Sequence, residues 1–258
     1  MIKLILVGCN GYMGRVVTAL TETDPTVTIT AGIDTNINNN QQHTYPVYKS
    51  ADDITETADI IIDFSSPSAL NGLIKYSIEK KLPLILCATG YTPEQIAQIE
   101  EASKQIPVFR SGNMSLGINL LLELVNRASA VLGEDFDIEI VEKHHRRKVD
   151  APSGTALMLA DAAASAITAA NAQKEKPAYI FERESKREPR SKDEIGISAV
   201  RGGTIVGVHD VIFAGQDETI EIRHTAASRD VFAAGAIKAA NFLINKTPGM
   251  YSMKDVLL

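Results

Sequence analysis

Residues 142–156 read Glu-Lys-His-His-Arg-Arg-Lys-Val-Asp-Ala-Pro-Ser-Gly-Thr-Ala, a segment dense in groups that move protons and hold anions. His144 and His145 carry the side chain whose ordinary pKa, near ~6.5, lets it deliver a proton around neutral pH. Lys143, Arg146, Arg147 and Lys148 surround them with positive charge, and Asp150 is placed to orient or pair with one of these cations. Pro152-Ser153-Gly154-Thr155 then opens an apolar helical run of Ala156, Leu157, Leu159, Ala160 and Ala163. The first turn of such a helix has backbone N–H groups without internal partners and about half a positive charge. A ligand carboxylate docks on donors of that kind. Other chemistries fit less well. Glu142, His144 and His145 lack the i, i+4 spacing of a helical zinc site, so no metal is expected. Ala-Pro-Ser-Gly-Thr is not the strand-to-helix elbow of a hydrolase serine. His43, His209 and His224 read as structural.

A second site is written at the start of the chain. Gly8-Cys9-Asn10-Gly11-Tyr12-Met13-Gly14 follows an apolar strand and precedes a helix, the place where a dinucleotide pyrophosphate is held. Gly8 allows a tight turn, Gly11 lets the backbone approach phosphate, and Gly14 lets the helix close on the sheet. The spacing is GxxGxxG rather than GxGxxG. The next strand ends Ala31-Gly32-Ile33-Asp34, which sets a carboxylate where adenosine ribose hydroxyls lie. Thr35 and Asn36 follow it, and neither Asn10 nor Tyr12 is basic, so the local sequence offers no cation for a 2′-phosphate. Preference for NADH over NADPH is expected, with dual use open through Arg15.

These residues need a scaffold. Strands at 3–7, 26–33, 60–64, 84–88 and 108–109 alternate with helices at 11–23, 68–80 and 93–104, a rhythm that predicts a parallel sheet covered on both faces. Thr92 reads as an N-cap. The stretch 36–44, rich in Asn and Gln, reads as a solvated loop. Beyond Gly112 the character changes: helix 118–132, strand 137–142, the long Ala-rich helix 154–170, then strands 195–200, 204–213 and 219–225 joined by short turns, which imply an antiparallel layer. Segment 174–194 is polar and charged and reads as an ordered or partly mobile surface loop. Ser228 is expected to cap a last helix at 231–244. The fold class is α/β, with an N-terminal Rossmann-type parallel sheet in residues 1–115 plus 226–258. Residues 116–225 form an α+β domain with a mixed or antiparallel sheet.

The chain of 258 residues is 45% hydrophobic and 22% charged, a globular composition. Its net charge of −6 argues against nucleic acid as a partner and makes the basic cluster at 143–148 a local feature. Cys9 and Cys87 have neither metal-ligand nor disulfide spacing, which fits a reduced, cytoplasmic setting. The opening apolar run is strand-length rather than a signal h-region, and no run is long enough to span a bilayer.

The 142–156 segment closely resembles the signature of the dihydrodipicolinate reductase family, which acts in the diaminopimelate route to lysine. Gly8–Gly14 resembles the family's glycine loop. Cys87-Ala88-Thr89-Gly90 and Ser111-Gly112-Asn113-Met114-Ser115 resemble its further cofactor-lining loops, and Arg201-Gly-Gly-Thr-Ile-Val-Gly-Val-His209 and His224–Arg229 its later strands. The chain departs in having Cys87-Ala88 where members often have Gly-Thr, and Gly112 where they have Ala or Pro. The resemblance implies an NAD(P)H-dependent oxidoreductase that reduces a cyclic dicarboxylate imine, with a C-terminal domain that binds substrate and builds a homotetramer. It implies His144 and Lys148 as catalytic donors, and His145, Lys148, Ser153, Gly154, Thr155 and Arg229 as substrate ligands. It implies Gly8, Cys9, Asn10, Gly11, Tyr12, Met13, Asp34, Cys87, Ala88, Thr89, Ser111, Gly112, Asn113 and Met114 around the cofactor. A non-enzymatic NAD(H)-binding regulator on the same fold is the competing class.

Overall fold

Strands written as unbroken apolar runs belong in sheets covered on both faces, and Ile60-Ile61-Ile62 is such a run. The computed structural model describes residues 1–37, 42–133 and 135–257. The part of the 36–44 loop reading that concerns 38–41 lies outside the described residues. In chain order the elements are β1 (Ile2–Val7), α1 (Tyr12–Thr21), β2 (Val27–Ile33), β3 (Val47–Tyr48), β4 (Ile60–Asp63), α2 (Leu70–Lys80), β5 (Leu84–Leu86), α3 (Pro93–Ser103), β6 (Pro107–Arg110) and α4 (Leu116–Leu132). There follow β7 (Asp137–His144), α5 (Gly154–Ala170), β8 (Ala178–Ile180), β9 (Glu194–Arg201), β10 (Gly207–Ala214), β11 (Thr219–Ala226), α6 (Asp230–Leu243), β12 (Gly249–Tyr251) and α7 (Met253–Leu257). Contacts divide the chain into two units, one made of Met1–Leu116 with Arg229–Leu258 and the other of Gly117–Ser228.

The first unit is a seven-stranded sheet in the order β12-β6-β5-β4-β1-β2-β3, with every described pairing parallel. One face packs Leu4, Leu6, Ile60 and Ile62 with Val17 of α1 and Ala236 and Ala240 of α6. The other face packs Ile5, Val7 and Ile61 with Leu73 of α2 and Ile99 of α3. The order reverses between β1 and β4, which opens a crevice at the carboxyl ends of the strands. Thr92 caps α3 in a full capping box with Gln95. The last helix differs from expectation: it starts at Asp230, with Arg229 rather than Ser228 at the cap position and no side-chain cap bond. The acid at its first helical position answers the helix dipole instead. The short edge strands β3 and β12 had no local signal, because each exists only by pairing with a longer neighbour.

The second unit is a five-stranded sheet, β11-β10-β7-β9-β8. An antiparallel layer was expected, and β7, β10 and β11 form one. However, β8 and β9 run parallel to β7. The reason is α5, which carries the chain back along the sheet after β7 and so makes a parallel return possible. Ile118, Leu121 and Val125 of α4 and Leu159, Ala160 and Ala163 of α5 pack with Ile138, Ile140, Val211 and Phe213 of the sheet.

The charged stretch 174–194 holds β8 and is tied down rather than merely solvated. The Arg190 guanidinium pairs with Asp137 at 2.8 Å and Glu139 at 2.9 Å, and donates to the carbonyls of Ile138 and Glu194. Arg183 bridges Glu139 and Glu194. Alternating charges in the sequence thus resolve into specific partners on β7 and β9. Truncating Arg190 to Ala is expected to cost about 1–3 kcal/mol, because it orphans acceptors on two strands. Limited proteolysis should then cut within 181–193 well before the wild-type chain is cut there.

Candidate active site

Alternate residues of β7 are buried, so Ile138, Ile140, Glu142 and His144 share one face. The first two enter the core of the second unit. The same alternation carries a carboxylate and an imidazole to the rim of that core, where Glu142 is 0% exposed and His144 9%. The neighbouring strands supply the rest: Arg201 of β9 is in register with His144, and His209 of β10 with Glu142.

A carboxylate taken out of water must be compensated. Arg201 grips it as a fork, Nη1 donating to Oε2 and Nη2 to Oε1, each at 2.7 Å. The Ser153 backbone N–H donates to Oε1 at 2.9 Å, and His144 Nδ1 lies 2.6 Å from Oε2. Burial by itself raises the Glu142 carboxyl pKa, but Arg201, His144 and the Ser153 N–H outweigh it and hold the group below the usual range. Burial lowers the His144 pKa beneath the ordinary imidazole value; Glu142 opposes that shift, while Lys148 and Arg201 add to it.

Behind this pair sits His209, 5.2 Å from His144 between ring centroids and edge-on to it. Its Nε2 lies 3.0 Å from Ser153 Oγ, and that oxygen also accepts the Ala156 N–H as the N-cap of α5. Burial first, and the neighbouring His144 second, push the His209 pKa down to about 4. Lys148 Nζ pairs with Asp150 at 2.8 Å. On the opposite face of β7, Lys143 pairs with Asp210, which also binds Arg223.

In the first unit the glycine loop is a tight turn that packs closely on the start of α1. Gly8 has φ +76°, and a Cβ at Gly14 would stand 2.2 Å from the Gly8 carbonyl oxygen. Helix α1 starts there with no acidic residue in its first turn, leaving its N–H groups for an anion. Asp34 holds the loop: it accepts the Asn10 N–H on Oδ2 and the Asn36 N–H on Oδ1, each at 2.9 Å. The Asn10 side chain reaches the Asn36 carbonyl and His43 Nε2. Beside them lies a cavity of about 360 Å³, lined by Gly8, Asp34, Thr35, Ser65, Ser66 and the cations Lys49 and Lys75 among others. These features fit a dinucleotide. Among the described residues, no group of three or more His, Cys, Asp or Glu side chains is arranged to hold a metal.

Family models for the N-terminus and C-terminus of dihydrodipicolinate reductase match residues 2–114 and 117–257. The chain belongs to the dihydrodipicolinate reductase family. It is 51% identical over 257 residues to the 4-hydroxy-tetrahydrodipicolinate reductase of Caldanaerobacter subterraneus subsp. tengcongensis, covering 100% of this chain and 98% of that one. It is likewise 51% identical over 257 residues to the Clostridium tetani reductase, covering 100% and 97%. Among solved structures, a dipicolinate-bound dihydrodipicolinate reductase from Paenisporosarcina sp. TG-14 shares the fold, with a TM-score of 0.79 at 22% identity and full coverage of both chains. A probable dehydrogenase from Thermotoga maritima is more distant, with a TM-score of 0.64 at 10% identity over 98% of this chain and 92% of that one.

Against the family signature, the structure brings His144, Ser153 and the start of α5 together. Ser153 donates its N–H to Glu142, and its hydroxyl sits between His209 Nε2 and the Ala156 N–H, so it builds the helix start. Gly154 and Thr155 stand on the accessible side of that turn. Arg229 belongs to the first unit, where its guanidinium lies 4.5 Å from the Tyr12 ring centroid. In the cofactor loops, the side chains of Cys9 and Met114 point into the core, leaving only their backbone to a ligand. Sequence reasoning missed Arg201 and His209 as parts of the site, and Lys49 and Lys75 beside Asp34. The one available signal was Glu142 two residues before His144, a same-face spacing on a strand.

Because the folded His209 pKa lies near 4 against an ordinary 6.5, the unfolded chain binds more protons between those values. The stability this neutral imidazole allows is complete above pH 6.5 and is lost as pH falls through about 4. The loss is expected to reach on the order of 3 kcal/mol. Denaturant midpoints measured across this window should fall steeply for the wild type and more gently for His209→Gln.

Proposed function

We propose that this chain reduces 4-hydroxy-2,3,4,5-tetrahydrodipicolinate to 2,3,4,5-tetrahydrodipicolinate with NAD(P)H, in the diaminopimelate route of lysine biosynthesis. The observation that carries the reading is the pairing of buried Glu142 with His144, joined through Ser153 to a helix start. The family match over nearly the whole chain supports it. A regulator that only binds NAD(H) needs no proton donor and leaves that buried pair without a task.

The substrate is a dianion, and the second unit answers it with His145, Lys148, Ser153, Gly154 and Thr155. The reduced nicotinamide supplies the hydride, and the protein orients and protonates. His144 serves as general acid, with Lys148 as the second donor. A rate that needs protonated His144 declines as pH rises through its pKa. Since burial lowers that pKa, the declining limb of kcat/KM belongs below the ordinary imidazole value.

Asp34 favours the free ribose hydroxyls of NADH, while Lys49 and Lys75 on the same cavity provide charge for the 2′-phosphate of NADPH. NADH is therefore the preferred coenzyme and NADPH the tolerated one. The 117–228 unit is read as the substrate-binding and tetramer-forming part, and the setting as cytoplasmic. Among the described residues no helix is long and apolar enough to cross a membrane.

Initial rates on substrate generated in place from pyruvate and aspartate semialdehyde by its synthase test the reaction, with turnover by NADH expected. Specificity constants should favour NADH, and a much larger value for NADPH would overturn the coenzyme reading. His144→Ala should lower kcat by about 10²-fold or more with NADH affinity little changed. An unaltered kcat in that variant removes His144 from the mechanism.

A further inference from the structure

We propose that Glu142 is a positioning residue that holds His144 in one tautomer, with the proton on Nδ1 and Nε2 as the working atom, and ties that imidazole to the anion-binding helix start. The proposal rests on the reductase reading for its kinetic consequences and on geometry alone for the tautomer. Glu142 is ionised and accepts only, and all its near neighbours are donors: both Arg201 Nη atoms, the Ser153 N–H and His144 Nδ1. A lone pair on Nδ1 at 2.6 Å from Oε2 would be repelled, so the shared proton belongs to Nδ1. The other ring nitrogen is left without a hydrogen and must act from there.

Gly207 is consistent with this assignment. Its φ is not among the positive values, so backbone freedom does not require glycine there. A Cβ at Gly207 would stand 3.2 Å from His144 Nε2, and its absence keeps that nitrogen approachable.

Burial chiefly, with the positive charges of Lys148 and Arg201 adding to it, disfavours the imidazolium, so His144 rests neutral and takes up its proton for each turnover. The charged and titratable groups facing His144 are Glu142 on its own strand, Arg201 on β9, His209 on β10 and Lys148 from the segment before α5. Glu142 alone among them favours the protonated ring. Through Oε1 the same carboxylate anchors the Ser153 N–H, so one group sets where the proton donor stands relative to the first turn of α5.

The deciding measurement is long-range ¹⁵N–¹H correlation of the imidazoles in the protein without substrate or coenzyme. The chain has five histidines, and His144→Gln identifies the signal of interest. A neutral His144 with Nδ1 protonated and Nε2 bare is expected; a proton on Nε2 overturns the proposal without reference to activity. In Glu142→Gln the tautomer should become mixed, kcat should fall roughly 10²-fold, and the declining limb of kcat/KM should move to lower pH. In Arg201→Gln that limb should move to higher pH, because a positive charge near the ring is removed. A Glu142→Gln enzyme with the wild-type tautomer and pH profile would sink the proposal. If Glu142→Gln does not fold, the wild-type tautomer still decides. If no turnover is found for the wild type, the reductase reading fails while the tautomer result stands by itself.

Discussion

A carboxylate with no exposed surface organises the second unit of this protein. Glu142 is covered on every side, and its charge is tolerated only because a forked guanidinium, a backbone N–H and an imidazole converge on it. Removing one partner from a buried pair of this kind typically costs about 3–5 kcal/mol, since the other charge stays behind unsolvated. The four groups come from β7, β9 and the segment leading into α5. Their mutual satisfaction therefore fixes strand register and helix start together. His209 adds a second layer, using the same cap serine that Glu142 holds by its backbone.

The site is an extension of the core, built by the same alternation. On β7 the sequence Ile138, Ile140, Glu142, His144 changes from apolar to reactive without changing face. A slip of one residue in pairing would send all four to the other side. The apolar contacts of Ile138 and Ile140 with α4 and α5 thus secure the geometry of Glu142 and His144 downstream. The opposite face of the strand uses its charges differently: Lys143, Asp210 and Arg223 pair among themselves. In the first unit, topology has the equivalent role. The reversal of strand order between β1 and β4 leaves Gly8 and Ser65 on one crevice, and the bonds from Asp34 to Asn10 and Asn36 shape its rim.

The charge-rich stretch 174–194 shows how composition and placement diverge. Its alternating signs are those of a solvated surface, yet Arg190 and Arg183 are committed to Asp137, Glu139 and Glu194 across the start of the sheet. Pairs gathered into a network with backbone acceptors carry more weight than isolated surface pairs. They hold the entry of β7 in place at the end opposite to its reactive residues.

By itself, the sequence determined the features that depend on near neighbours along the chain. These are the glycine turn before α1, the capping box of α3, the full extent of α5 from Gly154 to Ala170, and the density of imidazole and cation at 143–148. All are set by local backbone preference and short-range pattern. It also determined family membership, through segments specific enough to be read directly. Only the tertiary structure decided which of those charges meet. Glu142 looked like one acid among many until Arg201 and His209 came alongside on strands 59 and 67 residues further on. Ser153 is tied by its N–H to Glu142 and by its hydroxyl to His209 and Ala156, partners that only folding brings to it. Lys49 and Lys75 joined Asp34 only because the end of β3 and the first half of α2 line the same crevice. Long-range pairing energy depends on desolvation and register across the whole sheet, and neither quantity is written in any single stretch of residues.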